Sequence, residues 1–76
     1  MDERVQRLID WVSARDAAAG IEITPDTDLL ASGVLDSMGM VGLFMLVETM
    51  GGRALDVGEA AAAGPITPAG IVARAF

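Results

Sequence analysis

Apolar residues recur at i, i+3, i+4 and i+7 in two separated stretches, which commits most of the chain to helix. Val5, Leu8, Ile9 and Val12 form the first set; Leu43, Leu46, Val47 and Met50 form the second. A 3.6-residue period places each set on one helix face. The first predicts a helix from Arg4 to about Ala18, stopped by Gly20, with Trp11 half-buried at the stripe's edge. The second predicts a helix from Ser37 to about Met50, capped by Asp36 and ended by Gly51-Gly52. Fourteen residues span about 21 Å. Gly39 and Gly42 lie inside it, each costing about 1 kcal/mol relative to alanine. Either its first turns are loosely held or something approaches that backbone closely.

Between these helices, Ile21 to Leu35 shows little periodicity. Thr24-Pro25-Asp26 has the cap, first-position proline and early acid of a short helical turn. Leu29, Leu30, Val34 and Leu35 are too apolar for a free linker and are expected to pin the loop over the helices. Beyond Gly52, Val57 to Ala63 predicts a short third helix. Thr67-Pro68 starts a last one, running to about Ala75 and offering Ile71, Val72 and Phe76 to the core. The expectation is an all-α, single domain over residues 1–76: four helices, a long loop between the first two and a short third. A chain of this size buries only about 60% of its unfolded surface. Thirteen of its apolar residues are alanine, so stability of only about 3–5 kcal/mol is expected.

The residues that are missing exclude whole chemistries. The chain has no cysteine, histidine, lysine, tyrosine or asparagine. Without histidine or lysine it cannot assemble a Ser-His-Asp or Ser-Lys nucleophile, so an intrinsic enzyme is not expected. A zinc site would have carboxylates alone, which suit harder metals. Met1-Asp2-Glu3-Arg4 lacks the apolar core of a signal peptide. The run Val41 to Val47 is too short for a membrane span of about 20 residues. A soluble, cytoplasmic, monomeric protein is expected. Net charge is −6, with 8 of the 11 acids in the first 36 residues. Such a surface repels nucleic acid and anionic membranes and attracts basic protein patches.

One short string points to a function. Asp36-Ser37-Met38 sits between the turn residues Ala31-Ser32-Gly33 and the apolar helix. Serine at the first helical position is held toward solvent, above the positive end of the helix dipole, where an attached phosphate is favoured. The string from Asp28 to Val41 resembles the attachment segment of acyl and peptidyl carrier proteins; the resemblance runs from about Thr24 to Val72 and is closest across Leu29 to Val47. Leu35-Asp36-Ser37-Met38-Gly39, followed by Val41 and Leu43, is nearest to D-alanyl carriers and to discrete aminoacyl or acyl carriers of natural-product pathways. Thr67-Pro68 with Ile71 resembles the start of their last helix. Val57 to Pro65 departs from the pattern, with alanine and glycine where those carriers have bulkier residues.

The resemblance implies a four-helix carrier-protein bundle in which Ser37 carries a 4′-phosphopantetheine arm whose thiol holds an acyl or aminoacyl thioester. A phosphopantetheinyl transferase would supply the arm from coenzyme A, using its own base. Asp36 would cap the helix and contact that enzyme or its metal. An adenylating ligase or acyltransferase would load the cargo, and acyl-accepting or condensing enzymes would take it. The expected setting is a polyketide or nonribosomal peptide type pathway. Met38, Met40, Val41, Met45 and Glu48 are the candidate docking residues. Val41 and Met45 read as an exposed patch, Met38 more readily as core. Methionine suits surfaces that meet several partners in turn. Past Ser37 the helix has Glu48 as its lone acid, unlike acidic fatty-acid carriers, so recognition should be more apolar and less salt-sensitive. Two other readings stand beside this one: a D-alanyl carrier for cell-envelope polymers, and an unmodified acidic helical adaptor whose Ser37 is only a cap.

Overall fold

The computed structural model describes residues 2–15 and 18–76. Four helices run in the order α1 (Glu3–Ser13), α2 (Ser37–Thr49), α3 (Val57–Ala62) and α4 (Pro68–Ala75), with no strand among the described residues. Helix α1 packs against α2 and α4, and α2 also against α3. No helix among the described residues is long and apolar enough to cross a membrane. The radius of gyration, 11.0 Å, is that of a compact chain of this length, about 11 Å.

Helix α1 buries Val5, Leu8, Ile9 and Val12, the four residues its spacing selects. Trp11 is half-buried. The Asp2 carboxylate caps the helix by accepting from Arg4 N at 2.9 Å and also pairs with the Arg4 guanidinium. The helix is shorter than its sequence suggests, ending at Ser13 and not near Ala18. Val12 is the last apolar residue of the stripe. Ser13, Ala14 and Arg15, which follow it, are exposed, and packing rather than propensity sustains a short helix. Arg15 N donates to Val12 O at 3.1 Å, tightening the exit. Part of the expected extension, Asp16 and Ala17, lies outside the described residues.

The crossover turns at Gly20, whose φ of +79° suits glycine, and then lies on the domain. Thr24 to Thr27 form one hydrogen-bonded turn, Thr27 N donating to Thr24 O at 3.2 Å, where a helical turn was expected. Leu29, Val34 and Leu35 are buried, and Leu30 half so. Backbone bonds tie the same loop to the entry of α4. Leu29 N donates to Ile66 O at 2.8 Å, and Ala69 N to Pro25 O at 3.0 Å.

Helix α2 buries Gly39, Met40, Leu43, Phe44 and Val47. The expected face was Leu43, Leu46, Val47 and Met50; Leu46 and Met50 are only half-buried. Apolar residues surround this helix, so its sequence contains several stripes of helical spacing. Neighbours choose among them. Phe44 reaches toward Leu55, Ala60, Ile66 and Ile71 of the α3–α4 side. The helix ends in a Schellman arrangement: Gly51 N donates to Glu48 O and Gly52 N to Val47 O, both at 3.0 Å, with Gly51 at φ +95°.

Helix α3 is one residue shorter than expected and buries Ala60 alone. Asp56 caps it through Gly58 N at 2.7 Å. Helix α4 starts at Pro68, with Thr67 Oγ1 accepting from Gly70 N at 3.0 Å, and buries Ile71, Val72 and Ala75. Phe76, offered to the core by its sequence, is 41% exposed. It stands just past the helix, its ring under the Arg4 guanidinium at 4.5 Å.

Candidate functional site

The loop delivers Ser37 to the surface in three steps. Asp28 first folds the chain back, its carboxylate accepting from Leu30 N at 3.2 Å and Ala31 N at 2.9 Å. Gly33, at φ +80°, then reverses the backbone, its N–H bonded to Leu30 O at 3.1 Å. Val34 and Leu35 finally plunge into the core, and Leu35 N donates to Leu29 O at 3.1 Å. With its neighbours anchored on both sides, the start of α2 is held in place while Ser37 itself is exposed.

Asp36 is extended (φ −92°, ψ −176°) and its carboxylate accepts from Gly39 N at 2.7 Å. Its carbonyl accepts from Met40 N at 2.9 Å. The cap is therefore Asp36 and not Ser37, whose hydroxyl meets no hydrogen-bond partner among the described residues. Gly39 is buried beneath the cap. A Cβ there would stand 3.1 Å from Leu35 Cδ2 and 3.4 Å from Asp36 Oδ1, so a side chain would press on the groups that aim Ser37.

The candidate docking residues separate onto two sides of α2. Met38, Val41 and Met45 are 79%, 47% and 61% exposed, and Glu48 is exposed below them. Positions 38, 41, 45 and 48 fall on one helical face, forming a stripe that begins beside Ser37. Met38, which its sequence placed more readily in the core, is the most exposed of the three. Met40 is corrected in the opposite sense: it is fully buried and packs in the core, so it is not available to dock anything.

The glycine inside this helix has an identifiable neighbour. A Cβ on residue 42 would lie 3.3 Å from Trp11 Cη2, so the indole of α1 rests on the bare backbone of α2. The ring in turn carries the Arg15 guanidinium at 4.8 Å. Arg15 and the segment Gly33 to Asp36 line one concavity of about 140 Å³ beside the helix start. Nothing in the sequence associates Arg15 with Gly33 to Asp36; they line one concavity where the end of α1 meets the start of α2.

A second cavity, between Phe44, Leu55, Ala60, Ile66 and Ile71, measures about 20 Å³. That volume holds about one water and no acyl chain. No group of three or more His, Cys, Asp or Glu side chains placed to hold a metal occurs among the described residues. Comparison with protein-family models, with curated proteins and with solved structures finds no match to this chain in any of the three.

Proposed function

We propose that this chain is a discrete carrier protein whose Ser37 accepts 4′-phosphopantetheine from coenzyme A and thereafter presents an acyl or aminoacyl thioester to partner enzymes. The observation that carries the reading is the division of labour at the start of α2. Asp36 does the capping, and Ser37 beside it is exposed, anchored from behind and unengaged. An adaptor that needed Ser37 as a cap has no use for this arrangement. In the transfer, the serine hydroxyl loses its proton to a base of the transferase as Oγ bonds to phosphorus, and the nucleotide part of coenzyme A leaves. The protein need supply no base of its own, which suits a chain without histidine or lysine. The first turn of α2 favours the negative charge added there.

The exposed stripe of Met38, Val41 and Met45 supports the second half of the reading. A partner that covers it reaches the arm at the same time. Adhesion is mainly apolar, so docking should depend weakly on salt. The cavity at Phe44 is too small for cargo. The four helices would then be the carrier-type bundle, loaded by an adenylating ligase or acyltransferase and emptied by acyl-accepting or condensing enzymes of a natural-product pathway.

Intact mass after incubation with coenzyme A, magnesium and a broad-specificity phosphopantetheinyl transferase tests the proposal. A gain of about 340 Da, a covalent modification that adds a phosphate-linked group, is expected on the wild type and absent from Ser37→Ala. No gain on folded wild type, with an active transferase, would leave the unmodified adaptor.

A further inference from the structure

We propose that Arg15 holds the phosphodiester of the arm, an inference that rests on Ser37 being the attachment site. Two observations place the guanidinium. It lies over the Trp11 ring at 4.8 Å, and that ring is itself seated on the glycine backbone of α2. It also forms one wall of the concavity of about 140 Å³ whose other walls are Gly33, Val34, Leu35 and Asp36. Ser37 is the next residue along the chain.

A phosphodiester on Ser37 Oγ would lie one residue beyond the Asp36 wall of this concavity. The guanidinium fork matches two phosphate oxygens, a match that a point-charge ammonium lacks. Stacking on Trp11 limits the rotamers Arg15 samples, so less freedom is lost when it binds. The opposing charge in the same concavity is Asp36, and its Oδ1 is turned into the helix to take the Gly39 N–H at 2.7 Å. Gly33 adds no side chain to the wall, which leaves the approach from Arg15 open. The other four arginines are Arg4, Arg7, Arg53 and Arg74. Arg4 and Arg7 line a concavity with Met50, at the far end of α2, and Arg53 follows that same end. Arg74 lines the cavity at Phe44.

The consequence is a restrained base for the arm. Its phosphate end would be held against the α1–α2 junction while the thiol end moves, so cargo would leave the domain over the Met38–Val41–Met45 stripe.

Loaded wild type, Arg15→Gln and Arg15→Lys proteins, each checked for folding by Trp11 fluorescence and circular dichroism, provide the test. Mass gain on all three is expected, since Arg15 is not needed for transfer. Loading of the wild type should shift the Arg15 Nε–H resonance and the amides of Gly33 to Asp36, and broaden the arm's ³¹P line. Arg15→Gln should lose the amide shifts and sharpen the ³¹P line; Arg15→Lys should recover them only in part. Raising salt to about 1 M, where screening acts within about 3 Å, should weaken the wild-type shifts. If loaded Arg15→Gln shows the same shifts and line width as wild type, the contact is overturned while the carrier reading stands. Absence of any mass gain on wild type overturns both.

Discussion

Helices α1 and α2 have nearly the same length, 11 and 13 residues, and each starts from an aspartate cap. Their sequences nonetheless behave differently. In α1 every apolar residue of the stripe is buried and charged residues mark the other side, so one face is defined before any neighbour is known. In α2 apolar residues occupy the whole circumference, and Glu48 is the lone charge. The inward face was chosen by Trp11 on one side and by the α3–α4 layer on the other. What remained outside, Met38, Val41 and Met45, is apolar surface that folding does not use. Contiguous exposed apolar surface of this kind is a recurrent mark of interaction sites.

The largest expected effect comes from setting the two sides of α2 against each other. Met40→Ala removes a fully buried side chain and should cost about 2–5 kcal/mol. On a domain stable by only about 3–5 kcal/mol this leaves much of the protein unfolded. Met38→Ala should change stability by no more than about 0.5 kcal/mol. Urea denaturation of the pair, followed by Trp11 fluorescence, reads both. Equal costs would mean that Met38 is also packed and that the contrast drawn between the two faces is false.

The two glycines that bound the contrast should differ as well. At Gly52 an added Cβ would lie 2.7 Å from Val47 Cγ1 and 3.1 Å from the Val47 carbonyl oxygen, and backbone does not yield. Gly52→Ala should cost about 1–3 kcal/mol. At Gly42 the neighbour is the edge of a half-buried indole at 3.3 Å, which can shift by a few tenths of an ångström. The helix propensity gained by alanine, about 1 kcal/mol, offsets that shift, so Gly42→Ala should be close to neutral. Thermal midpoints of the two variants would expose an error if their order were reversed.

A smaller effect separates capping from modification. Asp36→Ala gives up the bond to Gly39 N and should cost about 1 kcal/mol. Ser37→Ala, at an exposed and unengaged hydroxyl, should stay within about 0.5 kcal/mol and yet lose all loading by phosphopantetheine. A Ser37→Ala protein as destabilised as Asp36→Ala would return the serine to a capping role.

The smallest effect lies at the start of α1. The Arg4 guanidinium bonded to the Asp2 side chain, helped by the Arg4 backbone N–H, lowers that carboxyl from its ordinary 3.8. A carboxylate lowered on folding adds stability above its ordinary pKa, and the contribution fades as pH falls through the lowered value. Asp2 is exposed, so screening keeps the effect slight. An NMR titration of the Asp2 carboxyl should have its midpoint below 3.8. In Arg4→Gln the midpoint should rise back toward that value.

Much of this was readable from residues alone, and the reasons are local. The α1 stripe, the loop anchors Leu29, Val34 and Leu35, the caps at Asp36 and Thr67, and the Gly51-Gly52 stop each rest on short-range spacing or backbone preference. Ser37 was legible because a cap residue directly before a serine and an apolar run directly after it are both visible in sequence. Four features were not legible. The early end of α1, the burial of Phe44 and Met40, the exposure of Met38 and Phe76, and the concavity that Arg15 shares with Gly33 to Asp36 all depend on contacts between elements distant in the chain.

By itself, then, the sequence determined that this protein is helical, where its helices start, and which serine is offered at a helix start. Periodicity, capping and glycine chemistry act over three or four residues and need no partner. Only the tertiary structure decided which side of α2 became core, because an all-round apolar helix has no preferred face until α1 and α3 pack against it. The uncovered side, with Ser37 at its head, is the product of that packing.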